Sequence, residues 1–212
     1  MVALNVLRLV AAASTVAAIA FQYAERMDGP LFSSGNFFSF FTIQSNVIAV
    51  VALGALVLTP VDRRTRTFDA LRGAAVLYMA ITGIVFALLL SGQQETLDTT
   101  SPWVNFVVHQ AMPVLLVADF LVEPPRHRLS FATALAWLAF PLLWFAYTLV
   151  RGAIVDWYPY PFVDVDRHGY DGVALNAVLL AVAMAPGAAL LAWIGNRRGS
   201  ARAQPAPAAP AT

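Results

Sequence analysis

The sequence predicts an all-α, polytopic membrane protein, a bundle of six transmembrane helices, on three observations. Of the 212 residues, 59% are hydrophobic and only 12% are charged, where a soluble globular domain carries about 25% charged residues. The mean hydropathy is +0.69. The apolar residues fall into six runs, each near the ~20 residues needed to cross a hydrocarbon core, separated by polar connections. Lipid-facing strands would leave backbone groups unpaired, and the regular turns of a barrel are missing. With no cysteine, disulfides and thiolate metal sites are excluded.

The helices are expected over 4–24, 37–59, 70–91, 102–122, 131–151 and 172–195, forming one domain over 1–196. The first run, with Arg8 followed by apolar residues, has the length of a span and is read as retained, not cleaved. The connection 152–171 is the longest. It carries Trp157, Tyr158, Tyr160, Phe162 and Tyr170, rings suited to the membrane–water interface. Its prolines and glycines argue against a helix there and for a structured loop over the mouth of the bundle. Residues 197–212, rich in Ala and Pro toward the end, are expected to form a disordered tail. No internal repeat is visible, which counts against an inverted-repeat transporter.

Orientation follows from arginine, the only basic residue besides histidine. Arg63, Arg64 and Arg66 lie in the second connection, Arg126 and Arg128 in the fourth, and Arg197, Arg198 and Arg202 after the last span. The third connection has Glu95 and Asp98 and no arginine; the fifth sets Arg151 and Arg167 against four aspartates. The positive-inside rule then predicts a cell-membrane protein with both termini cytoplasmic. Arginines distributed by topology in this way imply contact with membrane lipids and no nucleic-acid partner.

Polar side chains inside such spans cannot face lipid, so they must face protein, a cavity or a ligand. Helix 2 opens Phe37-Phe38-Ser39-Phe40-Phe41-Thr42-Ile43-Gln44-Ser45-Asn46. At the helical period Ser39, Thr42, Ser45 and Asn46 share one face. Thr42 lies about 7–8 Å and His109 about 10 Å from the same side of the membrane, at ~1.5 Å per residue. Asn105, four residues before His109, shares its face. Asn176 in helix 6, and Tyr147, Thr148 and Arg151 in helix 5, also fall in this outer half. Asp119 lies toward the opposite end and is expected to snorkel to the interface. Pro113, four residues after His109, removes a helical donor and predicts a kink.

A hydroxyl and an imidazole at matched depth suit nucleophilic catalysis: the histidine takes the threonine proton as attack begins and later protonates the leaving alcohol. No carboxylate lies at that depth, so the residues predict a Thr42–His109 dyad. Asn46, Asn105 and Asn176 are candidate oxyanion donors, with Tyr147 and Arg151 as candidate substrate contacts; Arg151 suits a carboxylate or an interfacial anchor. Ser39 and Ser45 are rival hydroxyls. The acids Asp164, Asp166 and Asp171 with His168 read as a solvated loop, and neither metal nor cofactor is expected. The competing class is a non-catalytic lipid or small-molecule binder, or a transporter with an outward-facing polar vestibule.

Phe41-Thr42-Ile43, His109 with Pro113 and Asp119, and Tyr160-Pro161-Phe162-Val163-Asp164 together resemble the androgen-induced protein and androgen-dependent TFPI-regulator family of six-helix membrane proteins. The likeness runs from about residue 5 to 195. It implies a threonine hydrolase of fatty-acid esters of hydroxy fatty acids, with the nucleophile at Thr42 and the histidine at His109. A lipid ester is the partner so implied.

Overall fold

The computed structural model describes residues 2–30, 32–92 and 101–203. Among them there is no strand, and six helices or helix pairs are long and apolar enough to cross a membrane: Val2–Arg26, Phe41–Leu58, Arg66–Leu90, Pro102–Val122, Phe131–Val155 and Val165–Gly199. The helices are α1 (Val2–Arg26), α2 (Ser34–Ser39), α3 (Phe41–Leu58), α4 (Arg66–Val85), α5 (Pro102–Phe106), α6 (Met112–Val122), α7 (Phe131–Ala136), α8 (Ala139–Val155) and α9 (Val165–Ala203). Two π turns, Phe86–Leu90 and Val107–Ala111, continue α4 and join α5 to α6. The core is apolar, centred on Leu53, Leu77, Met79, Met112, Leu116 and Phe120. Outward-facing side chains such as Leu88, Val114, Leu143 and Ile154 are exposed and apolar too, as a surface surrounded by lipid requires.

Several expected boundaries shift for identifiable reasons. The helix expected over 37–59 is two helices, because Phe40 takes φ −63°, ψ 130° and interrupts the hydrogen-bond ladder. The fifth span breaks between α7 and α8. Pro141 has no N–H for the carbonyl of Trp137 four residues earlier, and the Tyr78 hydroxyl donates to that carbonyl instead, at 2.9 Å. The aromatic connection is shorter than 152–171: α8 runs to Val155, and α9 begins at Val165. Its first turns are helical despite Gly169, which absorbs a kink at φ 67°. Asp164 supports that start by accepting from the N–H groups of Asp166 and Arg167 at 3.0 and 3.2 Å, a capping arrangement. Helix α9 also continues through 197–203, where a disordered tail was expected; 204–212 lie outside the described residues.

One end of the bundle is fastened by charge. Arg8 donates to Asp119 at 2.7 Å and to Glu123; Arg72 donates to Asp119 at 2.8 Å; Arg64 meets Glu123 at 3.0 Å. Asp119 does not snorkel: it is 4% exposed and Arg8 is wholly buried. Two facing guanidinium groups make burial of that carboxylate tolerable, since an unpaired buried charge is costly. The group joins α1, α4 and α6, which leaves these helices fixed relative to one another at the end remote from Thr42.

Candidate active site

The break at Phe40 creates the site. It makes Thr42 the second residue of α3, whose first N–H groups have no partner within the helix. The N–H of Thr42 donates instead to the Tyr160 hydroxyl at 3.2 Å. On the other side of the break, the carbonyl of Ser39 accepts from Trp144 Nε1 at 2.9 Å. Side chains from the second half of the chain thus satisfy both edges of the discontinuity. Trp144 is therefore a wall of the site.

The π turn at 107–111 supplies the histidine. In an α-helix the Val108 carbonyl would accept from the N–H of Met112. Here that N–H goes to Val107, and the next residue, Pro113, has none to give. The Val108 carbonyl is taken up by Asn46 Nδ2 at 3.1 Å, which also donates to the Thr42 carbonyl at 2.9 Å. Asn46 therefore ties α3, which carries Thr42, to the π turn that carries His109. Gly83 allows the approach: a Cβ there would lie 3.0 Å from Pro113.

Within this frame Thr42 Oγ1 lies 3.2 Å from His109 Nε2, and His109 Nδ1 lies 2.6 Å from Asn105 Oδ1. All three residues are buried. An amide oxygen can only accept, so the Asn105 contact places the ring proton on Nδ1 and leaves Nε2 with a lone pair toward the threonine hydroxyl. Phe86, in the facing π turn, stacks on the imidazole at 4.3 Å between centroids and 16° between planes, fixing the ring's tilt. The arrangement is a chain of three, Thr42–His109–Asn105, where two members were expected. An imidazole stands between a hydroxyl and a neutral amide.

Thr42 stands between two cavities. One, of about 90 Å3, has an apolar lining that includes Phe41, Val85, Trp144, Phe162, Leu180 and Met184. The other, of about 20 Å3, is bounded by Gln22, Arg26, His109 and Tyr160, a volume suited to about one water. Thr42 and Tyr160 line both.

The remaining expected site residues lie elsewhere in the network. Asn105 orients His109. Asn46 has both amide protons committed to carbonyls, and its Oδ1 is buried without a hydrogen-bond partner. Asn176 donates to the Phe162 carbonyl at 2.9 Å, holding the 156–164 connection against α9. Asn46 and Asn176 thus give amide protons to backbone carbonyls. Tyr147, 45% exposed, bonds Ser39 Oγ at 2.9 Å. Arg151 donates to Asn36 at 2.6 Å and lies over the Trp157 ring, so it fastens α2 and the connection. The rival hydroxyls are occupied: Ser39 donates to the Gly35 carbonyl at 2.6 Å, and Ser45 donates to that of Phe41.

Tyr160 was expected as an interfacial ring and as the start of the Tyr160–Asp164 motif, with no role assigned at the site. It is instead 4% exposed, with its hydroxyl 3.3 Å from Thr42 Oγ1. Burial pushes its phenol above the ordinary tyrosine value, partly offset by its hydrogen bonding with the Thr42 side chain and the backbone of Thr42 and Phe41. The group is therefore a protonated donor at neutral pH. No family model, curated protein or solved structure matches the chain.

Proposed function

We propose that the chain is an intramembrane hydrolase of lipid esters, with Thr42 as nucleophile, His109 as general base and acid, and Asn105 as the residue that orients the imidazole. The observation that carries this reading is the buried Thr42–His109–Asn105 hydrogen-bond chain, set between an apolar cavity and a water-sized one. The resemblance to six-helix threonine hydrolases points to fatty-acid esters of hydroxy fatty acids as the substrate class.

In the proposed reaction the acyl chain occupies the apolar cavity, with its ester carbon against Thr42. Thr42 Oγ1 bonds to that carbon as its proton passes to His109 Nε2, and the carbonyl π pair moves to oxygen. Collapse of this tetrahedral centre breaks the bond to the alcohol, which leaves with the proton from His109. A water in the smaller cavity then gives a proton to His109 and bonds to the acyl carbon. The Thr42–acyl bond breaks, Thr42 recovers the proton, and a carboxylic acid departs. The neutral Asn105 holds the tautomer without supplying charge, so stabilisation of the imidazolium is weaker than a carboxylate would give.

The same reading places the protein in the cell membrane as a multi-pass chain, both termini cytoplasmic and the site toward the outer leaflet, supported by the arginine pattern of the connections. Transport is disfavoured because a path along the bundle axis would have to cross the buried Arg8–Asp119–Arg72–Glu123–Arg64 group. Purified protein in lipid nanodiscs is expected to release fatty acid from a branched fatty-acid ester, and Thr42→Ala to abolish release with its melting temperature retained. Hydrolysis by Thr42→Ala at the wild-type rate would remove the proposal.

A further inference from the structure

Acyl transfer builds negative charge on the former carbonyl oxygen, and a site that accelerates it needs a fixed donor aimed there. Of the side-chain amides around Thr42, the three asparagines already make other contacts, while Gln22 reaches only the smaller cavity. Asn46 spends both protons on backbone carbonyls, Asn176 binds the Phe162 carbonyl, and Asn105 presents its oxygen to His109.

We infer that Tyr160 is a catalytic residue of this site, its phenol O–H being the hydrogen-bond donor to the oxyanion formed on the acyl carbon of the Thr42 adduct. The inference rests on the acyl-transfer reading given above.

The hydrogen-bond inventory points this way. The Tyr160 oxygen accepts from the Thr42 N–H at 3.2 Å, which leaves the phenol its own proton to donate. The nearby acceptor is Thr42 Oγ1 at 3.3 Å. Before reaction the direction is fixed: Tyr160 O–H to Thr42 Oγ1, Thr42 Oγ1–H to His109 Nε2, His109 Nδ1–H to Asn105 Oδ1. Once Thr42 Oγ1 is bonded to carbon it is a poor acceptor, and the anionic oxygen one bond further on is a strong one within the same reach. The phenol needs only to turn its O–H toward it. Because the Tyr160 oxygen already accepts an N–H from the start of α3, its own proton is the more strongly donated.

The ring is held where the task requires. It stacks on Phe162 at 5.2 Å and 4°, meets Phe40 edge-on at 5.5 Å, and lies 5.9 Å from Trp144. Such a buried, clamped donor in a water-poor site pays no reorganisation when charge develops. The same ring lines both cavities, so it can contact the acyl carbon during acylation and deacylation alike.

Tyr160→Phe keeps the ring and its packing and removes the proton. In nanodiscs this variant is expected to lose about a hundredfold to a thousandfold in kcat, the range for removal of one such donor, with KM little changed. A trifluoromethyl ketone analogue, which forms the tetrahedral adduct, should bind more weakly by the same factor as kcat/KM, while a non-cleavable ether analogue binds as to the wild type. A merely structural cap on α3 would weaken the ether analogue as well, and that result overturns the inference. So does kcat within threefold of wild type while Thr42→Ala and His109→Ala are inactive, an outcome that leaves the hydrolase reading standing. Activity in Thr42→Ala would instead remove the reading beneath it. Where Tyr160→Phe does not fold, a fluorinated tyrosine at 160 serves. Its more acidic phenol should move the alkaline loss of kcat to lower pH, and an unmoved profile overturns the inference.

Discussion

The two ends of the bundle bury polar groups in opposite ways. At one end Arg8, Arg64, Arg72, Asp119 and Glu123 form ion pairs around α1, α4 and α6. At the other, Thr42, His109, Asn105 and Tyr160 are linked in a hydrogen-bond chain without ion pairs, beside two cavities. Full charges held by mutual pairing give rigidity, and their removal is expensive. Neutral groups whose protons can change hands give reactivity, and their contribution to folding is that of ordinary hydrogen bonds. Under the proposed function, the difference separates a fastening end from a working end. It predicts that substitutions at the two ends divide between stability and turnover.

The largest effect is expected from His109→Ala, with turnover reduced by about a thousandfold or more from the loss of general base and acid. The melting temperature should hold. Unfolding of this variant alongside loss of activity would erase the distinction between the ends. Asp119→Ala should do the reverse, leaving Arg72 buried without a carboxylate and Arg8 with Glu123 alone, at a cost of about 3–5 kcal/mol. Thermal melting in detergent measures this, and the folded fraction should turn over at the wild-type rate. Asn105→Leu should reduce kcat by about a hundredfold through misplacement of the imidazole; an unchanged kcat would show that Phe86 stacking alone holds His109. The smallest effect is expected from Arg151→Ala, about 1 kcal/mol of stability for its bond to Asn36 and unaltered kcat. A large rise in KM for this variant would return Arg151 to the substrate contacts.

Hydropathy was enough to count and place the spans, because a membrane demands long apolar runs regardless of packing. Depth along helices paired Thr42 with His109, since residues at one level of a narrow bundle meet when their faces agree. Pro113 gave notice of the irregularity around His109, though not of its π form or of Asn46 as the group that answers the Val108 carbonyl. The spacing of Asn105 from His109, one helical turn away on the same face, held the contact between them, while chemical type suggested oxyanion binding. Phe40 gave no warning of a break: no proline or glycine lies between Gly35 and Gly54, and the discontinuity is stabilised by Trp144 and Tyr160, more than a hundred residues away in the chain. Tyr160 was hidden for the same reason, as was the pairing of Arg8 with Asp119. Contacts between remote segments set these positions, and no local periodicity encodes them.

The central claim is that Thr42 is a nucleophile activated by His109. It is tested most directly by treating the protein in nanodiscs with a lipid-tailed fluorophosphonate and mapping the adduct by peptide mass spectrometry. The expected result is a phosphonyl group on Thr42 Oγ1, absent from Thr42→Ala and strongly reduced in His109→Ala. Undiminished labelling of Thr42→Ala, or an adduct on Ser39 or Ser45 in the wild type, would contradict it.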